Sequence, residues 1–151
     1  SAVDLPARMG VLQEMLLHPD TVTGLSDAGA HVTLICDGSM PTTQLAYWTR
    51  DREKGEKIPI EYIVRKQTAL NAQLYGFDDR GALEQGKKAD VNVIDMDNLR
   101  VSPPVPHHDL PTGGTRLMQP VTGYINTLCN GISVREFDLD TGDRPGRLVR
   151  S

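Results

Sequence analysis

Near Gly76 the spacing of the apolar residues changes, so the two halves of the chain call for different elements. Before that point apolar residues recur every three to four positions, the period of a helix with one buried face. Leu5, Met9, Leu12 and Leu16 form such a stripe, with Val11 and Met15 beside it, and predict a helix over residues 4–17. Asp4 suits its N-cap, Pro6 its first turn, and His18-Pro19-Asp20 its end. Thr21–Leu25 is short and β-branched and predicts a buried strand. A second helix is expected from Pro41 to Lys54, with Leu45 and Trp48 inward and Gly55 as its stop. A third runs from Pro59 to Gly76 on the apolar face of Ile60, Ile63, Val64, Leu70 and Leu74.

From Asp78 onward the chain reads as strands and turns. Ala89–Met96 carries apolar residues at 89, 91 and 93, with Ile94 facing the other way. Residues 102–115 are rich in Pro and Gly and predict an extended loop. Tyr124–Cys129 and Ile132–Phe137 flank Asn130-Gly131. Asn-Gly between strand-like runs predicts a hairpin, because both turn positions need positive φ. Asp140–Arg147 is turn chemistry.

Composition removes several function classes. Sixteen Lys and Arg against twenty Asp and Glu give a net charge of −4, with 5% aromatics and no basic stripe. Nucleic acid is therefore not an expected partner. No apolar run is long enough to cross a membrane. Cys36 and Cys129 form no disulfide framework and are expected to stay reduced, as in a cytoplasmic protein. The chain shows no signal-peptide pattern, and its opening on Ser1 without Met is expected of a processed piece.

Gly24-Leu25-Ser26-Asp27-Ala28-Gly29-Ala30-His31 follows the predicted strand directly. Small and polar residues at the carboxyl end of a buried strand are where α/β folds place their chemistry. This segment resembles the last barrel strand and its loop in the amidohydrolase superfamily, above all in the N-acyl-D-amino-acid deacylases (D-aminoacylases). The resemblance continues in order along nearly the whole chain. It takes in Asp37-Gly38-Ser39 with Pro41-Thr42 and Leu45, then Thr68-Ala69 through Tyr75-Gly76. Asp79-Arg80-Gly81, Leu83, Gly86 and Ala89-Asp90-Val91 follow. Asp109-Leu110-Pro111, Asn130-Gly131, Thr141-Gly142 and Pro145-Gly146-Arg147 complete it.

The resemblance implies α/β plus β architecture. Residues 1–76 would be the last units of a (β/α)8 metal-dependent hydrolase barrel, and 77–151 the carboxyl-terminal part of a small β-sandwich. A closed barrel of this kind typically needs about 250 residues, so a chain of 151 holds only part of one. The resemblance also implies zinc, an N-acyl amino acid as substrate, and Asp27 as both metal ligand and general acid/base. Ser26 and His31 would bind substrate. The chemistry has an independent rationale: a metal lowers the pKa of its bound water, and one carboxylate can take that water's proton and pass it to the leaving nitrogen. Asp27 read locally is equally a cap for the following turn, and His31 an ordinary loop histidine. Ser26, Asp27 and His31 do not make a Ser-His-Asp triad, which three residues of one short loop rarely build.

A zinc site takes three or four ligands; the resemblance implies that they come from earlier barrel strands, beginning with a His-x-His pair, and the sequence contains no such pair. The isolated chain is therefore expected to lack the main metal site, to hold no stoichiometric zinc and to be inactive. His107-His108-Asp109 reads as a surface loop, Trp48 as core and Asp51-Arg52-Glu53-Lys54 as a solvated helix end. No Lys or Arg falls between Asp27 and Arg50; if this loop lines the side-chain pocket, as the resemblance implies, it offers no cation for an acidic side chain and favours neutral or apolar D-amino-acid derivatives. Two other readings stand beside this one: a non-catalytic α+β module that self-associates, and a cyclic-amide hydrolase of dihydroorotase or hydantoinase type. Exposed apolar faces make a homo-oligomer the expected assembly.

Overall fold

The computed structural model describes residues 5–24, 26–29 and 33–150. Four helices occupy the first half: α1 (Leu5–Leu17), α2 (Met40–Ala46), α3 (Ile60–Gln67) and α4 (Ala69–Leu74). The second half holds the strands β1 (Val91–Ile94), β2 (Arg100–Val101), β3 (Val105–His107), β4 (Arg116–Met118), β5 (Val121–Thr122), β6 (Tyr124–Cys129), β7 (Ile132–Glu136) and β8 (Leu139–Asp140). They make an antiparallel four-stranded sheet in the order β1-β6-β7-β8 and two ribbons, β2-β5 and β3-β4. The β6–β7 turn is the expected one: Asn130 and Gly131 sit at φ 52° and 81°.

The helices depart from expectation where side chains compete with the helical ladder. The second helix widens into a π turn over Tyr47–Asp51, closed by the Arg52 amide donating to the Tyr47 carbonyl at 2.9 Å, and ends there. The third is broken at Thr68 (φ −122°, ψ −86°) into α3 and α4. Thr68 Oγ1 donates to the Val64 carbonyl at 2.7 Å, a local bond that bends helices. Gly76 closes α4 at φ 69°.

Three further expectations are corrected. Residues 21–24 are not in a strand: a barrel strand needs neighbours to pair with, and every described strand lies beyond Gly76. Residues 102–115 are not simply a loop, since β3 pairs with β4 across a tight turn at Pro111–Gly113. Pro106 is tolerated because the ribbon has only two strands. In β1 a register shift between Val93 and Ile94 reverses the alternation, so Val93 is exposed and Ile94 packs on the core.

One core joins the halves. Leu45, Ala46, Trp48, Ile58 and Ile63 pack with Leu99, from the connection between β1 and β2, and Ile94, Met96 and Tyr124 line its edge. Polar bonds reinforce the contact. Thr42 Oγ1 and the Tyr124 hydroxyl are 2.8 Å apart, Ser39 donates to Gln119, and Arg50 donates to the carbonyls of Met96 and Leu99. From α1, Met9 and Leu16 reach the core, while Val11, Leu12 and Met15 stay exposed. Its carboxyl end is fixed by the Tyr62 hydroxyl, which donates to the Leu17 carbonyl at 3.0 Å.

Arg52 corrects the reading of residues 51–54 as solvated. It is only 4% exposed. Its guanidinium lies 4.6 Å from the Trp48 ring centre and donates to the Lys54 carbonyl at 2.7 Å and to Gln13 Oε1 at 2.8 Å. Gly55 makes room for it: a Cβ there would fall 2.5 Å from an Arg52 nitrogen. Trp48 is buried in the core, as its helical spacing indicated.

Candidate active site

The path to Asp27 begins at the end of α1, where the Thr21 amide donates to the His18 carbonyl at 3.1 Å. Residues 21–24 then pass α3 and α4 with no described strand as a partner. Side chains hold them instead. Lys66 Nζ donates to the Thr21 carbonyl. Thr23 Oγ1 donates to the Lys66 carbonyl at 3.2 Å and accepts from Asn71 Nδ2 at 2.9 Å. The carbonyls of the last turn of α3 are open to such a donor because the helix stops at Thr68.

Beyond this tie, Ser26 is half-buried and Asp27 lies exposed on a bend. The loop turns back towards the short helical turn Asp37–Ser39: a Cβ on Gly38 would stand 3.6 Å from the Ala28 Cβ. His31, the third residue expected here, lies outside the described residues. An open groove of 430 Å³ between α2 and the segment 97–101 is lined by Tyr47, Arg50, Asp51, Asp97 and Arg100, and neither Ser26 nor Asp27 reaches it.

The remaining candidates do not converge. His107 is exposed on β3 opposite Arg116. His108 Nδ1 is 2.8 Å from Thr115 Oγ1, and Asp109 takes two bonds from the Arg116 guanidinium at 2.8 and 2.6 Å. That pairing holds the Asp109 carboxyl below the usual carboxylate range. The three side chains thus serve the base of the β3–β4 ribbon. Cys36 and Cys129 are both free thiols, half-buried.

The sequence profile of the amidohydrolase family matches residues 9–135. The chain belongs to the amidohydrolase family. An N-acyl-D-glutamate deacylase from Alcaligenes xylosoxydans xylosoxydans is 34% identical over 99 residues. That alignment takes in 64% of this chain and 18% of the deacylase, so the chain spans under a fifth of that relative. No solved structure matches the chain. Among the described residues no helix is long and apolar enough to cross a membrane.

A zinc ion does not fit the donors that the described residues bring together. Among the described residues no three His, Cys, Asp or Glu side chains are placed to hold a metal. Asp27 offers one carboxylate where a zinc site needs three or four ligands.

Lys66, which bonds the segment leading to Asp27, is a buried residue that sequence reasoning passed over. Its side chain is 1% exposed, and burial pushes its ammonium below the ordinary lysine value. The signal was present: Lys66 stands three residues after Ile63, which puts it on the buried face of α3.

Proposed function

We propose that this chain is the carboxyl-terminal part of an amide hydrolase acting on N-acyl-D-amino acids, with Asp27 as its proton-transfer group. The observation that carries the reading is membership of the amidohydrolase family across residues 9–135, with Asp27 exposed where a substrate can reach it. The likeness to an N-acyl-D-glutamate deacylase supports the substrate class. In the reaction, Asp27 takes the proton of the attacking water and hands it to the departing amine. Ser26 and His31 are the substrate contacts that the family resemblance implies. The barrel share of the chain is residues 1–76 and the β-sandwich share 77–151.

Zinc enters this proposal only as a demand on residues outside the chain, which must supply the ligands that the described residues do not. The enzyme as proposed works in the cytoplasm, and the exposed apolar residues Val11, Leu12 and Met15 favour self-association. Light scattering that gives a monomer refutes the last point.

The side-chain preference is argued from charge. No Lys or Arg lies between Asp27 and Arg50 to meet an acidic substrate side chain, which supports neutral D-amino acids. The relative's name, with D-glutamate in it, pulls the other way. The test is amine release from N-acetyl-D-Leu, N-acetyl-D-Glu and their L-forms by the parent enzyme, the complete protein that contains this chain. The expected order is D-Leu above D-Glu, with the L-forms inert. Turnover of L-forms alone, or of none of the four, overturns the proposal.

A further inference from the structure

We propose that Lys66 is a positioning residue for Asp27, acting through residues 21–24, which its ammonium and its carbonyl grip at two points. The inference rests on the reading of Asp27 given above. The segment 21–24 has no described strand beside it to pair with its backbone. It is held from one side. The Lys66 ammonium donates to the Thr21 carbonyl, and two residues on, the Thr23 hydroxyl donates to the Lys66 carbonyl at 3.2 Å. Asn71 Nδ2 donates to the same hydroxyl at 2.9 Å, so the Thr23 oxygen gives one bond and receives one. Each donor thus has a fixed direction.

A buried ammonium is costly without a charge partner. Among the described residues no carboxylate lies within salt-bridge distance of Lys66. Its remaining favourable neighbour is the Tyr62 ring, whose centre is 5.7 Å from Nζ. A methionine or leucine would fill the same space on α3 without that cost. What the lysine adds is a directed hold on the segment that ends, four residues past Thr23, in Asp27. The break at Thr68 belongs to the same arrangement, because the helix stops where the Lys66 carbonyl is needed by Thr23.

The test has two readouts. In the 151-residue chain, Lys66→Met removes the ammonium while keeping an unbranched side chain, and Thr23→Val removes the second grip with little change of shape. Limited proteolysis, followed by mass spectrometry, should show cleavage within residues 21–29 rising at least tenfold in each variant, with the β6–β7 hairpin unchanged. In the parent enzyme both variants should lower kcat at least tenfold while KM moves less than threefold. If Lys66→Met does not fold, Thr23→Val carries the test alone. Cleavage at the wild-type rate overturns the grip. Faster cleavage with wild-type kcat overturns the positioning role. Asp27→Asn, assayed in parallel, separates the two ideas: unchanged turnover there defeats the reading of Asp27 and the positioning role with it, while the proteolysis result still judges the grip.

Discussion

Gly123→Ala should be far more damaging than its single methyl group suggests. Gly123 sits at φ 106°, where its carbonyl accepts from the Asp95 amide at 2.8 Å and its amide donates to Asp138 Oδ2 at 3.1 Å. A Cβ there would fall 2.7 Å from Leu99 Cα and 2.9 Å from Leu99 N. These are backbone atoms of a fully buried residue, so no side chain can swing aside. A left-handed backbone costs an alanine about 1–2 kcal/mol. Overpacking a filled site adds about 1–3 kcal/mol. The sum is about 2–5 kcal/mol, or roughly 6–15 °C of Tm for a chain of this size. Gly142→Ala is the matched control, since Gly142 has φ 89° and nothing within 4 Å of its missing Cβ. It carries only the backbone cost, about 1–2 kcal/mol and roughly 3–6 °C. Thermal unfolding by circular dichroism compares the two. Equal Tm losses would refute the reasoning, because the contact with Leu99 would then contribute nothing.

Two further predictions use polar groups. Arg52→Ala leaves Gln13 Oε1 and the Lys54 carbonyl without their donor and strips the Trp48 ring of its cover. It should cost about 1–3 kcal/mol in urea unfolding and shift the tryptophan emission to the red; unchanged emission counts against the stacking. Asp51, Asp79, Asp109 and Asp140 are each held below their ordinary 3.8 by a hydrogen-bonding arginine: Arg50, Arg80, Arg116 and Arg144 respectively. A depressed folded value means that folding favours the ionised carboxylate. That stability is present at neutral pH and is lost as pH falls below 3.8 through the lowered values. The urea midpoint should therefore drop in acid, by a modest amount that added salt blunts, since these pairs lie at the surface. A midpoint that rises on acidification contradicts the assignment.

The parts of the fold that were legible in the sequence are those whose cause is local. Asn130-Gly131 dictates its hairpin because its backbone angles suit few other residues, and Trp48 at helical spacing from Leu45 goes inward. Arg52 and Lys66 were missed because charge in a sequence reads as solvent exposure. Whether a long cation is buried depends on distant acceptors, here Gln13 and Thr21, that spacing alone does not bring together. Ile94 was assigned to the wrong face because a bulge adds one residue to the period of two. The predicted strand at 21–25, whose Leu25 lies outside the described residues, is absent over 21–24 for a related reason. Its residues favour extension, but pairing requires partners, and those the chain places there are the side chains of α3 and α4. Ser26 is half-buried and Asp27 exposed on a bend, and the ordered motifs identified the family, whose match spans residues 9–135.

The central claim is that Asp27 moves the proton in amide hydrolysis. The measurement is kcat/KM of the parent enzyme and its Asp27→Asn variant on the best N-acyl-D-amino acid, with metal content and Tm matched between them. Loss of a positioned acid/base group should lower kcat/KM by about 10²–10⁴-fold. A value within twofold of the unaltered enzyme would contradict the claim and leave Asp27 as a turn residue.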